Sequence, residues 1–272
     1  MPDPDQLRDL LGRHHRRLAH YLRTLLPDAA DAEAALRETV LRIRTQESAG
    51  RNRAFEEWAE GIARDVAAGR RKAAVRVPFS DDLFRQLADV PRPAAARAEA
   101  RAGALAESLA QLPPPDRDLV RRRYGMGLTM EQIAATDGRS SAAVVRDLAG
   151  VHESLLSAIQ AAVPDTAPDP PGGAADLGRM ADQLLDGTIT DDGRIVFETL
   201  LLADVPGQAH YARHAALLTD LAWTLRGAPS LPEPPPDPPG LTRREKVVTA
   251  AFVACCTIAF LIIILLLTGL LS

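Results

Sequence analysis

The sequence predicts an all-α chain: two small helical domains, the second with a helix-turn-helix, then a small helical C-terminal module and one transmembrane helix. Three observations predict it. Apolar residues recur at helical spacing through most of the first 227 positions. Aromatics make up only 4%, which suits small helical modules better than a large sheet-based core. Residues 247–271, "VVTAAFVACCTIAFLIIILLLTGLL", carry no charge at all.

The first helix spans residues 6–26, where Leu7, Leu10, Leu11, Leu18, Tyr21, Leu22 and Leu25 share one side. Pro27 ends it, and Asp28 or Asp31 is placed to cap the next, "DAADAEAALRETVLRIR". A third helix, "RAFEEWAEGIARDVAAGRRKAA", sets Phe55, Trp58, Ile62 and Val66 on one face. Residues 1–75 form the first expected domain, and 76–97, with three prolines, read as a linker with at most a short helix. The second domain covers 98–162, where Pro114 or Pro115 leads a helix after "LPPPDRD". A Pro/Gly linker at 163–174 precedes the module at 175–227. Its apolar residues, including Leu184, Leu185, Phe197, Leu200, Leu201, Tyr211, Leu218, Leu221 and Trp223, outnumber what some 50 residues easily hide, so a spare face suits docking.

"APSLPEPPPDPPG" within the 228–242 spacer is a polyproline strut. The anchor covers 243–272; 25 uncharged residues at about 1.5 Å each exceed the ~30 Å hydrocarbon core. Arg243, Arg244 and Lys246 just upstream keep the preceding bulk on the cytoplasmic side, giving a single-pass protein of the inner membrane.

Net charge is −4, so affinity for nucleic acid must come from local patches. Cys255 and Cys256, the only cysteines, are adjacent within the apolar tail and lack disulfide-framework or zinc spacing. The opening "MPDPDQLRDLLGRHH" has no signal-peptide pattern. His210 and His214, at i and i+4, lack a third ligand and read as an ordinary surface pair; His14 and His15 read as solvated. No Gly-rich phosphate loop, nucleophile elbow or paired-carboxylate site is present, so neither an enzyme nor a cofactor is expected.

The chemistry-bearing segment is "YGMGLTMEQIAATDGRSSAAVVRDL", residues 124–148. Met130, Ile133 and Ala134 face inward, Asp137-Gly138 supplies a turn, and Ser140 or Ser141 caps a second helix. That helix offers Ser141, Val145, Arg146 and His152 to a groove, with Arg139 and Ser140 at its start. Arg117, Arg121, Arg122 and Arg123 stand upstream as candidate phosphate contacts.

The order "ALAESLAQLPPPDRDLVRRRYGMGLTMEQIAATDGRSSAAVVRDLAGVHESLLSAI" resembles the promoter-reading C-terminal domain of extracytoplasmic-function sigma factors of bacterial RNA polymerase. "DAADAEAALRETVLRIR" resembles that family's polymerase-clamp-binding helix, and "AFEEWAEGIARDVAAGRRK" its minus-ten helices, so the resemblance covers roughly residues 5–160. It implies that Glu38, Thr39 and Arg42 face the polymerase clamp. Arg64, Asp65, Arg70, Arg71 and Lys72 would lie along the melted strand, with Trp58, Ile62 and Ala63 beneath. Strand opening needs such a cationic track beside a pocket for unstacked bases. Asp65, where the family commonly has Asn, and Gly150 and Glu153, where basic residues are common, imply weaker phosphate contact. "LLDGTITDDGRIVFETLLLADVPGQAHYARHAALLTDLAW" resembles the cytoplasmic region of FecR-like anti-sigma regulators.

The resemblances imply a membrane-tethered sigma factor with core RNA polymerase and promoter DNA as partners, restrained by its anchor and by an intramolecular or separate anti-sigma contact. Two other readings stay open: a tethered helix-turn-helix regulator acting without polymerase, and a degenerate sigma-like protein-interaction module.

Overall fold

In the computed structural model, which describes residues 4–45, 54–73, 79–164 and 174–232, every regular element is a helix. The elements in chain order are α1 (Pro4–Leu25), α2 (Ala29–Thr45), α3 (Phe55–Ala73), α4 (Asp81–Asp89), α5 (Ala95–Gln111) and α6 (Pro114–Val120). A π-helical turn at Arg121–Gly125 follows, then α7 (Met130–Asp137), α8 (Ser141–Ala162), α9 (Ala174–Leu185), α10 (Asp191–Ala203) and α11 (Val205–Arg226). The chain divides into Met1–Pro232 and Glu233–Ser272, and all described residues belong to the first unit. The expected membrane span lies outside the described residues, among which no helix is long and apolar enough to cross a membrane.

α1, α2 and α3 pack on one another because each carries one apolar stripe. Leu11, Leu18, Leu22 and Leu25 from α1 meet Leu36, Val40 and Ile43 from α2 and Ile62, Ala63 and Val66 from α3, all buried. The Asp28 carboxylate accepts from the Asp31 N–H at 2.8 Å and so opens α2. Phe55 and Trp58 lie partly buried at the rim, edge to face with ring centroids 6.0 Å apart.

The stretch expected as a linker, 76–97, is built into the core where it is described. Phe79, Leu83, Phe84, Leu87 and Val90 are buried, and the Ser80 hydroxyl caps α4 by accepting from the Leu83 N–H. The short helix allowed there is α4, and its nine residues are too few to show in sequence the period that buries one face.

α11 ties the unit together. It packs against α1, α5, α8, α9, α10 and the π-helical turn. Tyr211, fully buried, sits edge to face with Phe79 at 5.8 Å and Phe197 at 5.7 Å, joining α11 to the segment before α4 and to α10. The start of α11 is equally tight. The Asp204 carboxylate accepts from the Gly207 N–H at 3.0 Å, and a Cβ on Gly207 would meet that oxygen at 2.9 Å and Leu177 at 3.2 Å.

His14 and His15, expected in solvent, are only partly exposed and pack against aromatics: His14 on Phe55 at 5.2 Å, His15 on Trp223 at 5.0 Å. Burial pulls the His15 imidazole down to about 4, and the neighbouring Arg16 charge adds to the effect. A histidine whose folded value lies below its ordinary 6.5 contributes stability above 6.5 that is lost as pH falls through about 4. We expect the melting temperature of His15→Gln to fall less than that of the parent between pH 6.5 and 4, measured by circular dichroism. Equal slopes would contradict this packing.

Candidate nucleic-acid interface

Short-range chemistry builds the helix-turn-helix. The Thr129 hydroxyl accepts from the Gln132 N–H at 3.3 Å, and the Gln132 side chain accepts from the Thr129 N–H at 2.8 Å, a reciprocal capping box that starts α7. Gly138 ends α7 at φ 64°, ψ 31°, where a side chain would cost roughly 1–2 kcal/mol. The Ser140 hydroxyl then accepts from the Ala143 N–H at 3.2 Å and starts α8. Met130, Ile133 and Ala134 of α7 are buried with Val144, Leu148 and Val151 of α8.

Most of the arginines expected on phosphates are engaged by this chain's own carboxylates. Arg121 reaches Asp118 at 2.7 Å; Arg122 reaches Asp137 at 2.7 and 3.1 Å and Asp118 at 2.9 Å. Arg123 donates to the Leu128 carbonyl and to Asp186, at the end of α9, at 2.6 Å. Arg139 pairs with Asp147. Ser141 is the first residue of α8 and half-buried, and Arg146 is exposed. Arg117 donates to the Ala110 and Leu112 carbonyls, serving the bend before α6.

His152 corrects the sequence reading. It is fully buried and offers nothing to a groove. Its Nε2 lies 3.0 Å from the Tyr124 hydroxyl, and its Nδ1 lies 2.9 Å from the Asp182 carboxylate. The other Asp182 oxygen is 3.0 Å from Nδ1 of His214, whose Nε2 lies 3.2 Å from that of His210. His214 is therefore buried rather than part of a surface pair. Burial alone would raise the Asp182 carboxyl, but the His152 charge and bonds from both histidines overrule it and hold the group far below the ordinary carboxylate range. Burial likewise opposes charge on His152, and Asp182 overrules it, so the imidazole is raised. Among the described residues no group of three or more His, Cys, Asp or Glu side chains could hold a metal ion.

The first expected DNA surface is similarly engaged. Arg64 donates to the Tyr21 hydroxyl at 3.1 Å and to Asp89 at 2.8 Å. Arg71 donates to the Phe79 carbonyl, pairs with Asp81 at 2.5 Å and lies over the Phe84 ring, while Arg70 pairs with Glu38 at 3.2 Å. Asp65 and Lys72 are exposed. Of the residues expected at the clamp, Glu38 and Arg42 pair with each other at 2.6 Å. Thr39 is fully buried, its hydroxyl on the Ala35 carbonyl at 2.8 Å, so it packs α2 rather than facing a partner.

α9 and α11 stand across from the outer face of α8. A cleft of about 880 Å³ has Arg146, Gly150 and Glu153 on one wall and Asp176, Arg179 and His210 on the other.

Sequence reasoning missed the residues that hold this arrangement. Asp220 lies buried between His20, 2.9 Å away, and Arg16, 2.5 Å away. Buried Arg23 donates to the Leu185 carbonyl at 2.8 Å. The available signal was an acidic residue inside an apolar stripe: Asp182 between Ala181 and Leu184, and Asp220 beside Leu221.

No protein-family model matches this chain, and no curated protein matches it.

Removing one partner of a buried ion pair costs about 3–5 kcal/mol, and a chain of this size loses roughly 2–4 °C of melting temperature per kcal/mol. We expect Asp182→Asn to lower the melting temperature by at least about 6 °C. Asp176→Asn, which breaks only the exposed pair with Arg179, should move it by less than about 3 °C. Similar melting curves for both variants, followed by circular dichroism, would contradict the buried role of Asp182.

Proposed function

We propose that the chain is a sigma-type transcription initiation factor, tethered to the membrane by residues 243–272 and restrained by its own last three described helices. The observation that carries this reading is the seating of α11 between α1 and the π-helical turn that leads into the helix-turn-helix. One element thereby contacts both segments that resemble sigma-factor domains, and Asp186 and Asp182 occupy Arg123 and His152 from the same side. Such an arrangement is a restrained state. Phosphate contacts require arginines that exchange in-chain carboxylates for DNA, and α8 requires α9 and α11 to leave its outer face.

In this mechanism the free energy of joining core polymerase drives α9–α11 off. Undocking releases Arg123 from Asp186, opens the α8 face that carries Arg146, and frees α1. The tether keeps the factor at the membrane until a partner or a protease acts. A second reading rests on a specific observation: Arg64, Arg70, Arg71, Arg121, Arg122, Arg123 and Arg139 all have carboxylate partners. A sigma-like protein-interaction module that no longer initiates would keep them permanently so.

Run-off transcription with core RNA polymerase separates the two readings. We expect the full chain to be weakly active and Asp182→Asn with Asp186→Asn, which loosens the restraint, to initiate several-fold more. Polymerase that binds either protein yet yields no transcript on any genomic template would favour the interaction module.

A further inference from the structure

A second cleft, of about 580 Å³, opens between α1, the 90–98 segment that enters α5, and the first half of α11. Its apolar lining includes Val90, Pro91, Pro93, Val205, Pro206 and Ala209. Its charged lining has one sign: Arg17, Arg92, Arg97, Arg101 and Arg213 with His20, and no Asp or Glu among the described residues. Most of the other arginines described above meet carboxylates, so a lining with none stands apart.

Four of these cations are already engaged, Arg101 and Arg213 among them. Arg17 donates to Glu60 and Glu56 at 2.8 Å each, and His20 bonds Asp220. Arg92 and Arg97 differ. Arg92 donates to the Leu87 and Ala88 carbonyls at 2.8 and 3.2 Å and lies 3.9 Å from the centre of the Tyr21 ring. Those contacts are dipoles and a π face; among the described residues no carboxylate pairs with it, and its Nε is buried without an acceptor. Burial pulls its guanidinium down to about 10, only partly opposed by Tyr21 and Glu60, as expected of a cation short of negative charge. Arg97 likewise has a buried Nε without an acceptor and no carboxylate partner among the described residues.

The backbone adds a third, independent source of positive potential. α5 begins at this cleft with Ala94 as its cap, no side chain bonding its first N–H groups and no acidic residue in its first turn. Those N–H groups carry the positive end of a 17-residue helix dipole.

We propose that this cleft binds a small amphipathic anion, a carboxylate or phosphate head on a short apolar body. The head sits against Arg97, Arg92 and the start of α5, where guanidinium groups donate in the paired geometry that carboxylate and phosphate oxygens accept. The body lies on Val90, Pro93 and Ala209. The volume falls within the 300–1,000 Å³ usual for small-molecule sites. Because α1, the 90–98 segment and α11 each supply part of the wall, an occupant bound only in this arrangement stabilises it. Resting on the proposed function, occupancy would strengthen the restraint on transcription; binding itself does not depend on that reading.

The test is calorimetric titration of the full chain in nanodiscs of zwitterionic lipid, with empty nanodiscs as the blank. The probes are octyl phosphate, octanoate, inorganic phosphate and octyl glucoside. We expect octyl phosphate and octanoate to bind one per chain, about tenfold or more tighter than inorganic phosphate or the neutral glucoside. Arg97→Gln, which removes the head-group contact, and Ala209→Leu, which fills the floor, should each weaken binding about tenfold while helix content is unchanged. Competition when the nanodisc lipid is made anionic assigns the head group to the membrane, and its absence assigns it to a free metabolite. Octyl phosphate binding no better than octyl glucoside, or binding that both variants leave intact, overturns the proposal. A chain that binds octyl phosphate yet never initiates transcription would refute the proposed function alone.

Discussion

The rest of the structure depends on buried carboxylates that fasten the last helices to the first ones. Asp182 is shared by His152 of α8 and His214 of α11, and Asp220 of α11 is shared by His20 and Arg16 of α1. A buried carboxylate is costly unless it is paired and fully hydrogen-bonded, so each such group enforces one geometry on the helices around it. Apolar packing of Tyr211, Leu218 and Leu221 supplies most of the attraction. The ionic contacts decide where it is spent, because a shift of α9 or α11 by a fraction of a turn would strand a charge.

That constraint links the fold to the proposed activity. The surfaces on which a sigma-type factor would bind DNA are intact as folded elements: the capping box, the glycine turn and the serine-capped helix are all formed. What is closed is access. Arg123 is held by Asp186, and the outer face of α8 looks across a cleft of about 880 Å³ at α9 and α11. Release under the proposed function would have to offset the apolar burial of Tyr211, Leu218 and Leu221 as well as replace the ionic contacts.

Local patterns were legible in the sequence. The apolar stripes of α1, α2, α3 and α8 follow a strict helical period, and Thr129, Gly138 and Ser140 mark the turn residue by residue because capping and left-handed backbone depend on neighbours alone. Less was legible wherever a distant segment decides. His152 falls four residues after Leu148 and three before Leu155, on the buried stripe of α8, so its interior place was legible by spacing; its partner Asp182, 30 positions later, was not. Thr39 looks polar in sequence, yet its hydroxyl satisfies itself on the Ala35 carbonyl and lets the residue pack as an apolar one. α4 was legible only as at most a short helix, because nine residues show too little of a period to reveal a buried face. The surplus of apolar residues in 175–227 was visible, and Leu184, Phe197, Tyr211 and Leu221 are buried, although Leu200 stays exposed on α10.

The distance between α3 and α10 tests the central claim most directly. Labels at exposed Glu57 and Ile195, in a full chain with Cys255 and Cys256 replaced by serine, report it by pulsed electron resonance. The account predicts one narrow distribution for the isolated chain, with a second, longer population appearing when core RNA polymerase and promoter DNA are added. A distribution unchanged while polymerase is demonstrably bound would contradict it.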